Sequence, residues 1–221
     1  MAQIVFLSER NRQRYLSAVG PVGDLFARAG VHPNVLSFTG LVFSAGAGLL
    51  YSQGRFFWAA WVVLLAGICD TLDGHIARHS KKNSPFGAFF DSTVDRYSDM
   101  FLFVGLAYYY AGGYSPSSTQ TGAQASPLTV VVIVLAIAGS FMVSYTRARA
   151  EGLGVQCKAG MMQRPERITL LIIGSLLGSI PAVGGVLMKM TLLVLALSVN
   201  LTAVYRMFYV RNRLAHGSES N

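Results

Sequence analysis

The chain has 221 residues, of which 52% are hydrophobic and only 13% are charged. Soluble domains carry about 25% charged residues, so this composition excludes an ordinary soluble enzyme. The length suffices for about five to seven transmembrane helices of roughly 20 residues each. The two cysteines, Cys69 and Cys157, form no CxxC pattern and predict no disulfide framework. We therefore predict an all-α integral membrane protein.

Six apolar segments are predicted to cross the membrane as helices. Pro33, Pro85 and Pro165 stand near the starts of three segments, where a helix tolerates proline. Residues 114–127, rich in Ser, Thr, Gly and Gln, predict a loop between the third and fourth segments. In chain order, the predicted helices cover approximately residues 33–54, 56–78, 85–113, 128–147, 165–181 and 186–209.

The basic residues predict the orientation of these helices. Fifteen of the 18 Lys and Arg residues fall on the side of the N-terminus, and only Arg55 and Lys189 fall on the opposite side. The positive-inside rule then places both termini in the cytosol. Residues 1–30 lack the shape of a signal peptide and are predicted to form an amphipathic helix on the cytosolic face.

Three regions follow from these predictions. They are a juxtamembrane helix over residues 1–30, a six-helix membrane domain over residues 31–210 and a cytosolic tail over residues 211–221. The expected location is a bacterial or archaeal plasma membrane, although the sequence of an endoplasmic reticulum protein would look alike.

Four aspartates in the second and third segments are predicted to lie at one depth. Asp70 and Asp73 are three residues apart and Asp91 and Asp95 are four apart, so each pair shares one face of its helix. The connecting loop is centred on Lys82, almost equally far from the two pairs. In an antiparallel hairpin that rises about 1.5 Å per residue, all four carboxylates then lie about a third of the way into the bilayer.

Four carboxylates at one level of a membrane require a cation. Burial in the bilayer disfavours their charge, and close like charges raise one another's pKa. Mg²⁺, Mn²⁺ and Ca²⁺ prefer carboxylate oxygens, and four carboxylates can hold two ions about 4 Å apart. A structural salt-bridge cluster with Arg78 and Arg96 is the alternative, but two arginines do not balance four buried acids. The pattern therefore favours a metal site.

Small residues fall on the same helix faces as the acids. Gly74 and Ala77 follow Asp70 by four and seven residues, and Gly87 precedes Asp91 by four. Such a surface leaves space for a bulky ligand, or it lets two helices approach closely. Both interpretations stay open at this point.

The whole stretch from Asp70 to Asp95 has a recognisable pattern. It reads D-x2-D-G-x2-A-R-x8-G-x3-D-x3-D, with eight fixed residues at fixed spacing. This pattern resembles the signature of the CDP-alcohol phosphatidyltransferase family. The six predicted helices, the cytosolic N-terminal helix and the Pro33-Asn34-x-x-Ser37 start of the first helix also look like those of the family.

The resemblance implies an activity. Members transfer the phosphatidyl group of CDP-diacylglycerol, or of its ether analogue, to the hydroxyl of an acceptor and release CMP in phospholipid biosynthesis. It also implies two bound Mg²⁺ or Mn²⁺ ions and a homodimer. The expected partners are thus a CDP-linked lipid, an acceptor alcohol, the bilayer and a second copy of the chain, with no nucleic acid.

The family's functional residues map onto this sequence by the motif. Asp70, Asp73, Asp91 and Asp95 are expected to bind metal. Asp91 and Asp95 are also expected to act in the catalytic step, with Asp95 as the base or a ligand of the second metal. The residues expected to contact the CDP-linked lipid are Asn34, Ser37, Asp70, Gly74, Ala77, Arg78 and Gly87.

A second basic cluster bears on the acceptor. The stretches around Arg147-Ala-Arg149-Ala-Glu151 and Arg164-Pro-Glu166-Arg167 resemble those of phosphatidylinositol-phosphate synthases and their archaeal relatives. This resemblance implies that inositol 1-phosphate is the acceptor and that Arg147, Arg164 and Arg206 bind its phosphate. Ordinary positive-inside charge is the simpler interpretation of these arginines, and glycerol 3-phosphate, serine and free inositol are alternative acceptors.

Two functions of other classes compete with the transferase. Acids within a membrane often line ion pathways, so a divalent-cation transporter is one alternative. Transport sites usually lie near the midplane between inverted repeats, whereas these acids lie in one hairpin without a repeat partner. A purely structural membrane scaffold would not explain the eight spaced residues of the motif.

Overall fold

The computed structural model describes residues 20–79, 84–113, 125–157 and 159–217. The parts of the predicted N-terminal helix and C-terminal tail in residues 1–19 and 218–221 lie outside the described residues. Within the described ranges the chain forms seven helices and no strand. They are α1 (20–28), α2 (Pro33–Ser52), α3 (Phe56–His79), α4 (Pro85–Tyr110), α5 (Pro127–Glu151), α6 (Arg164–Gly178) and α7 (Gly184–Gly217).

Prolines and polar caps set the starts of the helices. Pro33 opens α2, and the side chain of His32 accepts a hydrogen bond from the Asn34 N–H at 3.3 Å. Pro85 opens α4, and Ser84 Oγ accepts from the Gly87 N–H at 2.9 Å. Both arrangements satisfy N–H groups that have no partner within the helix. These starts fall where the sequence predicts them.

Four of the six predicted membrane helices are long and apolar enough to cross a membrane: Pro33–Ser52, Phe56–Ala77, Pro127–Glu151 and Gly184–Ala215. The other two do not meet this criterion. Helix α4 carries Asp91, Asp95, Arg96 and Asp99, and α6 has only 15 residues. The protein is therefore an all-α membrane protein, but length and composition support four spans where the sequence predicts six.

Helices α2 and α4 run parallel and touch through their backbones. Asn34 lies beside Gly87 near the start of both helices, and Gly48 lies against Phe101 and Gly105 near their ends. A Cβ atom added to Gly48 or Gly105 would overlap the backbone of the other helix. Close packing within one chain thus accounts for Gly48, as small residues permit between membrane helices.

Helix α7 packs closely against both α6 and α5. Gly174 of α6 contacts the side chain of Thr191 of α7, and the two helices run antiparallel. Asn200 Nδ2 of α7 donates a hydrogen bond to the Leu135 carbonyl of α5 at 3.0 Å. A hydroxyl pair connects α6 to α2, because Tyr51 OH of α2 lies 2.6 Å from Ser175 Oγ of α6. The six long helices therefore form one bundle.

Helix α1 packs against the start of α2 and the end of α3. Phe26 and Ala27 pack on the buried cluster of Leu36, Leu72 and Ile76. Asp24 Oδ1 lies 2.9 Å from the ring nitrogen Nε2 of His75. This contact explains His75, which follows the motif glycine Gly74, as a residue that links α1 to α3.

Candidate active site

The hairpin of α3 and α4 brings acids of the motif together. One carboxylate oxygen from each of Asp70, Asp91 and Asp95 lies within 4.8 Å of the other two. All three residues are half-buried. Two helices joined by a short connection suffice for this convergence, because residues at equal distances from the connection meet at the same height.

The side chains that line a narrow cleft here, the acid cleft, include Ser37, Asp70, Asp73, Asp91, Asp95 and Arg164. Asp73 has a partner of its own. It is 5% exposed, and its Oδ2 accepts a hydrogen bond of 2.6 Å from Ser37 Oγ of α2. The Pro33 carbonyl oxygen lies 3.4 Å from the same Ser37 Oγ. The hydroxyl of Ser37 thus fixes the orientation of the Asp73 carboxylate from a third helix.

The acid cluster fits a hard divalent cation. Asp91 Oδ1 is buried and has no hydrogen-bond partner among the described residues. A buried carboxylate oxygen without a partner is rare in folded proteins, because its desolvation is not compensated. Carboxylate oxygens are the ligands that Mg²⁺ and Mn²⁺ prefer. The residues present therefore suit the expected metal.

The residues expected to contact the CDP-linked lipid lie around the acids. Gly74 and Ala77 are half-buried on α3 beyond Asp70. A Cβ atom added to Gly87 would lie 3.7 Å from Asn34 Oδ1, so Asn34 and Gly87 are neighbours at the start of α2 and α4. The side chain of Arg78 lies outside the described part of the chain.

A cavity of about 170 Å³ opens beside the acids, between α4, α5, α6 and α7. Cationic side chains dominate its wall. The arginines that border it are Arg96, Arg147, Arg164, Arg167 and Arg206. Asp95 and Asp99 complete the charged part of the wall. Such a surface suits an anionic ligand, because guanidinium groups bind phosphate with two N–H groups at once.

The three arginines expected to bind the acceptor phosphate have different partners. Arg147 is 47% exposed, and its Nε lies 2.9 Å from Glu151 Oε1 one turn along α5. Arg206 is 2% exposed; its Nε donates to the Ala159 carbonyl at 2.7 Å and its Nη1 donates to the Val143 carbonyl. Arg206 thus connects the segment before α6 to α5.

Arg164 lies among the acids. Its Nη1 contacts Asp70 Oδ1 and lies 2.7 Å from Asp95 Oδ1. Its Nε lies 3.8 Å from Asp99 Oδ1. This one side chain borders both the acid cleft and the arginine-lined cavity.

Two further charged residues belong to the site. Asp99 is buried, and its Oδ2 lies 3.3 Å from Arg167 Nη1. The signals for both residues are in the sequence. Asp99 extends the spacing of Asp91 and Asp95 by one helical turn, and Arg167 follows Arg164 by three residues on one face of α6.

Comparison with known families decides what this site belongs to. The model of the CDP-alcohol phosphatidyltransferase family matches residues 30–204. The chain belongs to this family. It is a transferase, which excludes the cation transporter and the structural scaffold as alternatives.

Relatives within the family include inositol phosphate synthases. The chain is 34% identical over 196 residues to the archaetidylinositol phosphate synthase of Methanothermobacter thermautotrophicus, and the match covers 89% of this chain and 90% of the relative. It is 33% identical over 171 residues to the phosphatidylinositol phosphate synthase of Mycolicibacterium smegmatis, with 77% and 72% covered.

Solved structures of the phosphatidylinositol phosphate synthase of Mycobacterium tuberculosis have a similar fold. The structure with CDP-DAG bound has a TM-score of 0.74 and 29% sequence identity, over 87% of this chain and 92% of that chain. The structure in complex with manganese and citrate has a TM-score of 0.74 and 28% identity, over 87% and 88%.

Proposed function

We propose that this transferase moves the phosphatidyl group of CDP-diacylglycerol, or of its ether analogue, to a hydroxyl of inositol 1-phosphate and releases CMP. One observation carries the proposal. Three carboxylates that converge within 4.8 Å lie next to an arginine-lined cavity of about 170 Å³, and Asp95 borders both. A metal site for a diphosphate and a cationic site for a phosphorylated acceptor are thus adjacent.

The relatives support the choice of substrates. Two of them are inositol phosphate synthases, one for archaetidyl and one for phosphatidyl lipids. The similar solved structures contain CDP-DAG in one case and manganese in another. Glycerol 3-phosphate, serine and free inositol are the alternative acceptors within the family.

The acids are proposed to hold two Mg²⁺ or Mn²⁺ ions. The residues that would hold them are Asp70, Asp73, Asp91 and Asp95. When bound, the ions screen the diphosphate and stabilise the charge that develops on CMP. Asp91 contributes an oxygen that has no other partner among the described residues, and Ser37 orients Asp73 for the same purpose.

Asp95 is proposed to be the base. It lies where the acid cleft meets the cavity, so its carboxylate can accept the proton of an acceptor hydroxyl that points towards the lipid-side phosphorus. The CDP-linked lipid is proposed to lie along α2, α3 and the start of α4. The residues that would bind it are Asn34, Ser37, Asp70, Gly74, Ala77, Arg78 and Gly87.

The acceptor phosphate is proposed to bind in the cavity to Arg147, Arg164 and Arg206. All three border the cavity from different helices. Arg206 keeps two carbonyl partners while doing so, and Arg147 would exchange Glu151 for phosphate. Exchange of an exposed ion pair costs little, because such pairs contribute about 0–1 kcal/mol.

All six long helices are proposed to cross the membrane. Helix α4 runs parallel to α2, which is a span by itself, and its 26 residues extend about 39 Å. Helix α6 begins beside Asp70 and reaches Tyr51 at the far end of α2. Its 15 residues therefore extend from the depth of the acids to the opposite side of the membrane. The excess of basic residues then places both termini and the active site in the cytosol.

The remaining parts of the proposal concern the ends of the chain and its assembly. Residues 1–30, which include α1, are proposed to lie on the cytosolic face, and residues 31–210 are proposed to form the membrane domain. Residues 211–221 are proposed to be cytosolic, although the predicted boundary at 210 falls inside α7, which continues to Gly217. The enzyme is a homodimer in a bacterial or archaeal plasma membrane. Light scattering of the purified protein in detergent tests the assembly.

CMP release tests the function. The purified protein is assayed with CDP-diacylglycerol, Mg²⁺ or Mn²⁺, and inositol 1-phosphate, inositol, glycerol 3-phosphate or serine. We expect metal-dependent release of CMP with inositol 1-phosphate. Release with a different acceptor would keep the family chemistry and reject the proposed acceptor, whereas no release with any acceptor from a folded protein would reject the proposed reaction.

A further inference from the structure

Arg164 is placed where two ligands of opposite charge are expected. On one side its guanidinium group contacts the carboxylates of Asp70 and Asp95. On the other side it borders the arginine-lined cavity, and its buried Nε has no hydrogen-bond partner among the described residues. The same positive charge therefore neutralises the acid cluster and belongs to the anion site.

We propose that Arg164 couples the two sites by exchanging partners. Without metal, Arg164 pairs with Asp70 and Asp95 as their counter-cation. When a divalent cation binds their carboxylate oxygens, the Arg164 side chain leaves them and moves towards the cavity. This inference rests on the proposed function, since it assumes that the acids bind metal and that the cavity binds an anion. It assigns Arg164 a positioning role that the family motif does not contain.

Competition for the same oxygens is the first step. Arg164 Nη1 contacts carboxylate oxygens of two of the three acids that converge within 4.8 Å. Carboxylates bind Mg²⁺ at about 2.0–2.1 Å, so an N–H group cannot occupy the same lone pairs. The like charges of the ion and the guanidinium also repel each other at this distance. Arg164 and a metal ion therefore compete for Oδ1 of Asp70 and Oδ1 of Asp95.

The released guanidinium can shift towards Asp99 and the cavity. Asp99 lies 3.8 Å from Arg164 Nε on the cavity side and offers a carboxylate that Arg167 already shares. A guanidinium group that shifts towards Asp99 presents its remaining N–H groups to the cavity. Occupation of the metal site then strengthens binding of a phosphate, and the linkage is reciprocal: the phosphate strengthens metal binding by the same factor.

Arg167 provides a matched control. It has the same charge, lies on the same face of α6, pairs with Asp99 and borders the cavity. It does not border the acid cleft and makes no ion pair with Asp70 or Asp95 among the described residues. A general electrostatic effect on the metal is therefore expected from both arginines, whereas competition for the carboxylates is expected from Arg164 alone.

Metal binding without turnover tests the first half of the proposal. The full chain in detergent is titrated with Mn²⁺, and the free ion is measured by electron paramagnetic resonance. We expect Arg164→Gln to bind Mn²⁺ about tenfold more tightly than the wild type, and Arg167→Gln to remain within about threefold. Affinity in Arg164→Gln equal to or weaker than in the wild type, or an equal gain in Arg167→Gln, would overturn the competition.

Arg164→Lys keeps the test decisive if the glutamine variant does not fold. Lysine retains the charge but has a single ammonium group, which contacts two carboxylates less well than a planar guanidinium. We expect Mn²⁺ affinity between those of the wild type and Arg164→Gln. An affinity below that of the wild type in a folded Arg164→Lys protein contradicts the proposal.

The linkage tests the second half. Binding of inositol 1-phosphate and of glycerol 3-phosphate is measured by calorimetry with and without saturating Mg²⁺. We expect Mg²⁺ to raise the affinity for at least one of them about fivefold or more in the wild type, and to have no such effect in Arg164→Gln. An equal effect of Mg²⁺ in both proteins, or none in the wild type, would overturn the coupling.

These measurements are independent of the reaction. A protein that binds Mn²⁺ and phosphate as described but releases no CMP would refute the proposed function and keep the coupling. A protein that releases CMP with inositol 1-phosphate but shows no effect of Arg164 on metal binding would do the reverse.

Discussion

The acid hairpin of α3 and α4 and the arginine-lined cavity lie side by side, but they are assembled differently. The acids come from two consecutive helices, and their convergence follows from spacing along 26 residues of sequence. The arginines of the cavity come from α4, α5, α6 and α7. A local hairpin determines the first arrangement, whereas the packing of distant helices determines the second.

The difference also appears in the partners of the side chains. The acids share one environment and one expected ligand. The arginines do not: Arg147 pairs with an exposed glutamate, Arg164 with the acids, and Arg206 with two backbone carbonyls. Residue type therefore indicates the role of an aspartate in the hairpin better than it indicates the role of an arginine around the cavity.

Asp91→Asn is expected to give the largest effect, because it removes the negative charge of a proposed metal ligand. Asp91 Oδ1 has no hydrogen-bond partner among the described residues, which leaves metal binding as its role in the proposal. We expect CMP release to fall by about 10³-fold or more at fixed Mg²⁺, as for loss of a group that stabilises transition-state charge.

Asp24→Asn is the matched control for this variant. Asp24 is an exposed carboxylate on α1 that pairs with His75 and lies outside the acid cluster. We expect its CMP release to remain within about threefold of the wild type, because a surface pair contributes about 0–1 kcal/mol. Comparable losses in both variants would show that the acid cluster is not the centre of the reaction.

Arg206→Gln separates a structural role from a ligand role on the cavity side. Its buried guanidinium donates hydrogen bonds to the carbonyls of Ala159 and Val143. We expect the loss of both bonds to lower the free energy of unfolding by about 2–4 kcal/mol. Arg147→Gln removes an exposed pair and is expected to cost less than about 1 kcal/mol. Thermal unfolding in detergent measures both.

Activity of the two variants completes the comparison. If the unfolding temperature of Arg206→Gln equals that of the wild type while CMP release is lost, the phosphate is the main partner of Arg206 and the carbonyl contacts are incidental. The opposite result, a large loss of stability, supports the anchoring of the segment before α6.

Much of the hairpin was predictable from sequence. The starts of α2 and α4 follow from Pro33 and Pro85, and the meeting of Asp70 with Asp91 and Asp95 follows from their distances to the connecting loop. These features depend on the local chain and on helix geometry alone. The family motif adds the same residues independently.

The arrangement of the cavity was not predictable in this way. The contact of Arg164 with Asp70 joins residues 94 positions apart, and that of Arg206 with Val143 joins residues 63 apart. Neither follows from spacing, because each depends on how α6 and α7 pack against the other helices. The number of spans that the sequence predicts, six, also differs from the four that length and composition support, because α4 carries Asp91, Asp95, Arg96 and Asp99.

Gly105→Ala is expected to loosen the scaffold of the acid hairpin. A Cβ atom at this position overlaps the Gly48 backbone, so α2 and α4 must separate, at a cost of about 1–3 kcal/mol. Gly46→Ala is the control, because a Cβ there has no neighbour within 4 Å and alanine favours a helix by about 0.5–1 kcal/mol. The thermal unfolding temperature is expected to fall in Gly105→Ala and to rise in Gly46→Ala. A lower unfolding temperature in both variants would contradict the role of the contact.

Ser37→Ala is expected to reduce CMP release much less than Asp91→Asn does. It removes the hydroxyl that holds Asp73 from α2 at 2.6 Å but leaves all four acids in place. A hydrogen bond to a charged group contributes about 1.5–3 kcal/mol. Bound metal would also hold the Asp73 carboxylate and so recover part of this free energy. We therefore expect CMP release to fall about tenfold.

Two variants locate the cause of that loss. Ser37→Thr keeps the hydroxyl and is expected to retain most of the CMP release. Ser44→Ala removes a buried hydroxyl of α2 that donates to the Gly40 carbonyl within its own helix, and it is expected to leave CMP release nearly unchanged. Equal losses in Ser37→Ala and Ser44→Ala would trace the effect to the packing of α2. A loss confined to Ser37→Ala would mean that the acid hairpin, local as it is, depends on one contact from outside it.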